Sequence, residues 1–474
     1  MHSWCGQEKL KVNDYADKAP RRARRAFRLA ERAGDSSDEL SHQPRGPRLS
    51  WMNRDLFWLF VARALRSLSQ GYMTVTIPLY LALLGYGAVE LGILSATTAI
   101  ASALLAAAVG VLSDRFGRKN LIIVISLMAA ASGAAFTLSR NFCVILFAGA
   151  LGTYGGGGGA GRGGAWGPFY PAAQALIAEH SSDVDRTTIF GVLSFVGVLA
   201  SAAGSLLASA PQFIHRVSRL TLLQGYDVLF LFTALVGVLM AAAVLPVHDA
   251  QHSGDPHGAD PRIRRARGSW SGLSRRSWRL VARFMVTNAT NGLAIGMFAP
   301  FIVYWFHRRF GADAVQLATL LFFINLVAAA PFLLAGHLAS RLGAVGAVVI
   351  TRAISSLLLA AMAFMPNFWL AALFYALRTA FNTVSVPVRQ SFLMGVIEPA
   401  ERASAAGISN FPSQAAMAAI PYFSGYLMDN VWFGLPMVGA AVFQGLNTVL
   451  YYAFFRDVRP PEELIQNGDG ESAD

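Results

Sequence analysis

The sequence predicts an all-α polytopic membrane protein with twelve transmembrane helices in two pseudo-symmetric six-helix bundles. Composition is the first reason: of 474 residues, 54% are hydrophobic and 14% charged, where a soluble domain carries about 25% charged residues. Mean hydropathy is +0.45. The second is that apolar runs long enough to cross roughly 30 Å of hydrocarbon recur twelve times. The third is a fixed offset that relates the two halves of the chain.

Residues 1–51 come first and are polar, with Arg21, Arg22, Arg24, Arg25, Arg28 and Arg32 clustered and no apolar core. They are no secretory signal, and their composition predicts a basic, disordered cytoplasmic tail. Apolar runs follow at 56–81, 88–112, 120–139, 143–177, 187–210 and 223–246, giving a first bundle over 52–246. A polar stretch, 247–279, is the expected cytoplasmic central loop. Runs at 281–305, 314–337, 343–365, 367–396, 403–428 and 432–455 give a second bundle over 280–456, and 457–474 forms a cytoplasmic tail. The fourth run is conspicuously long and contains Gly155 to Gly159; a helix extended outward and a helix broken there both fit.

Charge sets the orientation. Loops on one side hold Arg115, Arg118, Lys119, Arg186, Arg341 and Arg402 plus the central cluster from Arg262 to Arg279, while the other side holds Arg140, Arg216, Arg219, Arg308 and Arg309. The positive-inside rule then places both termini in the cytoplasm. Arginine outnumbers lysine 35 to 4, a hint of a GC-rich genome and so of a bacterial inner membrane. Cys5 and Cys143 support neither a disulfide framework nor a zinc site.

The polar loop Gly110-Val-Leu-Ser-Asp114-Arg115-Phe-Gly117-Arg118-Lys119 has an eroded second copy, Gly336-His-Leu-Ala-Ser340-Arg341-Leu-Gly343. The offset is 226 (336 − 110, 343 − 117), and Gly85/Gly311 and Asn141-Phe142/Asn367-Phe368 share it. Beyond the fourth run, Arg162, Pro171, Gln174, Asp185, Arg186 and Gly191 pair with Arg378, Pro387, Gln390, Glu401, Arg402 and Gly407 at an offset of 216. The first half has therefore gained ten residues between Phe142 and Arg162. Such a parallel repeat is expected of secondary transporters.

The loop motif, the span count and the loop's position resemble the major facilitator superfamily across residues 52 to 456. The resemblance implies a secondary active transporter working by alternating access, neither an enzyme nor a cofactor binder. It also implies that Gly110, Asp114, Arg115, Gly117 and Arg118 latch the cytoplasmic side, with Arg341 in the weaker copy and Asp185/Arg186 and Glu401/Arg402 as companion gate charges. Arg162 with Gly167 resembles the family's fourth-span motif, off by one residue in spacing, while the fifth span lacks the Gly-Pro core of the antiporter signature.

Charges inside the spans suggest what is carried. Arg66, Arg162 and Arg378 lie within runs one, four and ten, where each costs roughly 2.5–3.5 kcal/mol on insertion scales. Two settings offset that cost: bonds to backbone carbonyls or to polar neighbours such as Gln70, Asn291 and Asn382, or a water-filled cavity, which is preferred. Arg63, nearer the cytoplasm, is expected to snorkel. No Asp or Glu falls near the middle of a span, so a net positive cavity favours an anionic solute recognised by arginine. Trp166, one turn after Arg162, is the best aromatic candidate to contact it. A proton-coupled drug exporter on the same fold is the alternative, a membrane sensor a remote one. The expected partners are a small-molecule substrate, a coupling proton or counter-anion and the lipid bilayer, with no nucleic acid, and a monomeric state is expected.

Gly159-Ala160-Gly161-Arg162-Gly163-Gly164 matches the dinucleotide fingerprint G-x-G-x-x-G. Pro168 and Pro171 would fall in the helix that fingerprint needs, and Arg162 is a repeated position, so no nucleotide is expected. Nor do the scattered histidines offer ligand spacing for a metal.

Overall fold

The computed structural model describes residues 52–154, 186–248, 274–329, 331–397 and 402–458, with Phe169, Ala173, Leu176 and Ile177; of Asp114, Arg115, Arg186 and Arg402 it describes the helical backbone. An N-terminal group comprises α1 (Arg54–Leu83), α2 (Ala88–Phe116), α3 (Arg118–Leu138), α4 (Phe142–Gly152), α5 (Arg186–Leu207), α6 (Ala210–Val217) and α7 (Leu222–Val244). A C-terminal group comprises α8 (Arg275–Phe298), a 3-10 turn Ala299–Phe301, α9 (Ile302–Phe310), α10 (Ala314–Ala329), α11 (Pro331–Met362), α12 (Phe368–Val396), α13 (Arg402–Asn430) and α14 (Leu435–Phe455). Seven helices among the described residues are long and apolar enough to cross a membrane. α1, α12 and α13, of 30, 29 and 29 residues, have the length as well, at about 1.5 Å per residue, but carry more polar side chains.

The repeat read from sequence reappears as backbone geometry. The four glycines with positive φ among the described residues are Gly85 (85°), Gly311 (65°), Gly117 (80°) and Gly343 (71°), which are two pairs at the 226 offset. Gly85, Gly117 and Gly311 sit where one helix stops and the chain turns, and Gly343 sits at a kink inside α11 where the helical angles break, a conformation that a side chain resists. Asn141 and Asn367 also do one job twice: their side chains accept from Cys143 N and Leu370 N and cap α4 and α12, satisfying amides that a helix start leaves unpaired.

The structure adds detail at three points that the sequence left open or did not mark. The run 143–177 does not continue as one helix: α4 ends at Gly152, and Thr153 takes a left-handed conformation whose N–H bonds Ala150 O and Gly149 O. The glycine run itself lies outside the described residues. Between the fifth and sixth spans the chain forms the short α6, opened by Pro211 in its first turn, which apolar-run counting passes over. The seventh span changes pitch at Ala299–Phe301, around Pro300, before continuing as α9.

Within the groups α1 packs on α5 and α7, α3 on α7, α8 on α13 and α14, and α11 on α12 and α14; between them α2 meets α13 and α5 meets α10. The α2–α13 approach depends on Gly92 and Gly425, where a Cβ would collide with Pro421 O and Ala88 O, the small-residue packing by which membrane helices associate. One buried core unites both groups at the end carrying Gly85 and Gly311, running through Tyr72–Leu81, Leu91, Phe298–Phe306, Leu317 and Met428. A second, around Val281, Phe284, Phe392, Tyr451 and Phe455, belongs to the C-terminal group.

Candidate functional site

Arg66 is 0% exposed. Its Nη2 donates to Gly152 O at 3.0 Å and to Thr153 Oγ1 at 2.6 Å, so the guanidinium reaches the carbonyl end of α4. The Tyr154 ring faces it with 4.8 Å from Cζ to centroid. Of the two settings that the sequence left for Arg66, this is the backbone-bonded one and not an open cavity wall. Arg63 is 1% exposed, which corrects the expectation that it snorkels out of the bundle.

The C-terminal group holds a larger polar interior. Arg378, 6% exposed, donates to Gln444 Oε1 at 3.3 Å and lies 4.3 Å from the Phe298 ring centroid. Gln444 donates on to Ser355 Oγ at 2.8 Å, and Ser355 to Arg378 O at 3.1 Å, closing a ring through α11, α12 and α14. Arg352 on α11, 2% exposed, donates to Asn447 Oδ1 and, at 3.2 Å, to Ser385 Oγ. Arg389 donates to Asn288 Oδ1, whose own amide donates to Ser409 O at 2.8 Å. Three arginines of one half thus each meet a side-chain amide oxygen. A hydrogen bond from a charged donor contributes roughly 1.5–3 kcal/mol, and Arg378 and Arg389 also face the Phe298 and Tyr451 rings, where a desolvated cation gains about 2 kcal/mol; these contributions work against the transfer cost of the charges.

Arg352, Arg389, Asn288, Gln444 and Asn447 escaped sequence reasoning, although the signal that picked out Arg66, a charge inside an apolar run, also marks Arg352. Gln70, Asn291 and Asn382 are half-buried, Gln70 on the α1 turn after Arg66, Asn291 within α8 and Asn382 one turn after Arg378. Among the expected gate residues, Gly110 lies in α2, Gly117 is buried at the α2–α3 junction, Arg118 opens α3 half-buried and Arg341 is exposed. Arg186 and Arg402 are the first residues of α5 and α13. Arg162, Trp166, Asp185 and Glu401 lie outside the described residues. Aromatics within the spans pack: Tyr72 donates to Thr233 at 2.9 Å, Tyr80 stacks edge-on to Phe230, and Trp305 is fully buried. Among the described residues no His, Cys, Asp or Glu cluster could hold a metal ion.

At the Gly311 end a cleft of about 600 Å³ is lined by Tyr304, Arg308, Asp429, Trp432 and Phe433. Arg308 there donates to Tyr304 Oη at 3.2 Å. Asp429, also at this end, accepts from Val89 N at 2.9 Å and so ties α13 to the start of α2.

Known proteins share this architecture. The chain is 24% identical over 404 residues to the uncharacterized membrane protein YJR124C of Saccharomyces cerevisiae, covering 80% of this chain and 89% of that one. It is 25% identical over 207 residues to the quinolone resistance protein NorA of Staphylococcus aureus, spanning 43% of this chain and 47% of NorA, about half that protein's length. Among solved structures, the nucleoside transporter NupG superposes with a TM-score of 0.62 at 16% identity, over 85% of this chain and 99% of NupG. The inward-open xylose transporter XylE from E. coli gives 0.63 at 14%, over 84% and 96%; at such identities the likeness is one of fold. The Major Facilitator Superfamily model matches residues 59–378 and 284–472, so the chain belongs to that superfamily and is a multi-pass membrane transporter, a carrier of small molecules by alternating access and not an enzyme.

Proposed function

We propose that this transporter carries a small organic anion and that Arg378 receives its anionic group, with Asn291 and Asn382 as polar neighbours. The observation that supports this reading is the pairing of Arg378 with a neutral amide, Gln444, over the Phe298 ring. A carboxylate or phosphate accepts more strongly from guanidinium than an amide oxygen does, so a solute anion can compete with Gln444 Oε1 for Arg378 Nη2. Arg162 and Trp166, at the repeated position in the first half, complete the cavity in this reading. The Gly110–Lys119 loop and the pairs Asp185/Arg186 and Glu401/Arg402 latch its cytoplasmic side, and a proton or counter-anion accompanies transport. Both termini are cytoplasmic, the membrane is a bacterial inner membrane and the working unit is a monomer.

A second reading, export of amphipathic drugs, is favoured by the similarity to NorA. A thermal-shift screen of purified protein against metabolite anions and lipophilic drugs separates the two, because a ligand at 100 times its dissociation constant stabilises by about 2.7 kcal/mol. Anion hits that Arg378→Ala abolishes in a protein still folded support the first reading. Lipophilic hits alone, or anion hits indifferent to Arg378, overturn it.

A further inference from the structure

A helix that stops inside the bilayer leaves its last carbonyls without intrahelical partners, at the negative end of the helix dipole. In transporters with discontinuous helices such carbonyl ends coordinate a bound cation. α4 stops after 11 residues, about 16 Å at 1.5 Å per residue, which is short of the roughly 30 Å of hydrocarbon a span must cross. Here a cation already sits at its end and is covalently part of the chain: the buried Arg66 guanidinium, bonded to Gly152 O and Thr153 Oγ1.

Neighbours hold Arg66 and the adjoining Tyr154 in place. Tyr154 Oη donates to Ser69 Oγ at 3.2 Å, and Ser69 Oγ to Arg66 O at 2.9 Å. Thr98 on α2 donates to Tyr154 O at 3.1 Å. Thr153 has a φ of 54°, the one positive value at a non-glycine position among the described residues. A β-branched residue is a genuine outlier there, and glycine is the usual choice. A threonine supplies what glycine lacks, a hydroxyl that accepts from Arg66.

We propose that Arg66 is a positioning residue that serves as a built-in cation: its charge occupies the carbonyl end of α4, keeps the fourth span interrupted at Thr153, and closes that end to sodium and potassium. Arg66 acts through α4 and not on the solute. The inference is independent of the Arg378 reading, which can fail without touching it.

The test uses the purified full chain in detergent, wild type and with Arg66→Ala, Arg66→Lys and Arg66→Ala/Thr153→Gly. Backbone hydrogen exchange is followed at Thr153 and Tyr154, whose N–H groups bond Ala150 O and Gly149 O, in dilute guanidinium, sodium, potassium or choline chloride. Wild type should exchange identically in all four salts. Arg66→Ala should exchange about tenfold faster at these amides, a local opening rather than a global one, with guanidinium restoring protection and choline not. Arg66→Lys should fall between, since an ammonium lacks the planar fork. Adding Thr153→Gly should recover part of the protection by removing the strain. Protection of Arg66→Ala that is no better in guanidinium than in choline overturns the proposal, as does sodium-specific protection of the wild type.

Discussion

Asn447 offers the sharpest test of the polar interior. Fully buried on α14, it accepts from Arg352 and donates both to Thr287 O and, at 3.0 Å, to Thr290 Oγ1. Asn447→Leu keeps the volume and removes all three bonds. Loss of the charge-assisted bond costs about 1.5–3 kcal/mol and loss of each of the two neutral ones about 0.5–1.5 kcal/mol, so a destabilisation of about 2.5–6 kcal/mol is expected. Arg352→Met removes the charge from the other side. Once both are apolar no buried charge is left short of an acceptor, and replacing a whole buried polar pair is often near neutral. The double variant should therefore lie closer to wild type than the sum of the singles, by about 1–3 kcal/mol. Reversible unfolding in mixed micelles, followed by circular dichroism, measures the cycle. If the two single costs add to within about 0.5 kcal/mol, Arg352 and Asn447 are not energetically coupled and the network account is wrong.

Other consequences can be measured in the same way. Gly117→Ala and Gly343→Ala, at φ of 80° and 71°, should each cost about 1–3 kcal/mol, and similar values at both would reflect the repeat. Asn141→Ala and Asn367→Ala should each cost about 1 kcal/mol as lost helix caps; a variant within error of wild type would show that its cap carries no energy. Gly425→Leu should force α13 from α2, and in a cysteine-free background the buried Val303→Cys should then be alkylated several-fold faster. Unchanged labelling would mean that this contact does not hold the Gly85/Gly311 end together.

Much of the fold was legible because membrane spans declare themselves by length and apolarity, and the halves by a shared offset. That offset marked Gly85, Gly117, Gly311 and Gly343 before any backbone angle was known, since a turn needing positive φ leaves glycine behind in both copies. The site was harder to read. Arg66 was visible as a charge in an apolar run, but its acceptors at Gly152 and Thr153 are 86 and 87 positions away, and no local pattern connects them. The end of α4 was hidden for a related reason: the helix stops at a threonine, a residue with no breaker signature, ahead of the glycines that draw attention. Arg352 carries the same signal as Arg66, a charge in an apolar run, but the amide that satisfies it, Asn447, stands on another helix 95 positions away, and no local pattern connects them.

The separation between Arg66 and Gly152 also has a consequence for biogenesis. A ribosome adds about 5–20 residues per second, so the 86 positions between donor and acceptor correspond to about 4–17 seconds of synthesis. During that interval α1 has emerged and α4 does not yet exist. The first helix must therefore wait at the translocon, or lie in the membrane with its guanidinium drawn toward water, until the fourth arrives. Insertion of this protein is on that account a cooperative event among early helices, and a stalled chain ending before Gly152 is the form in which quality control would meet it.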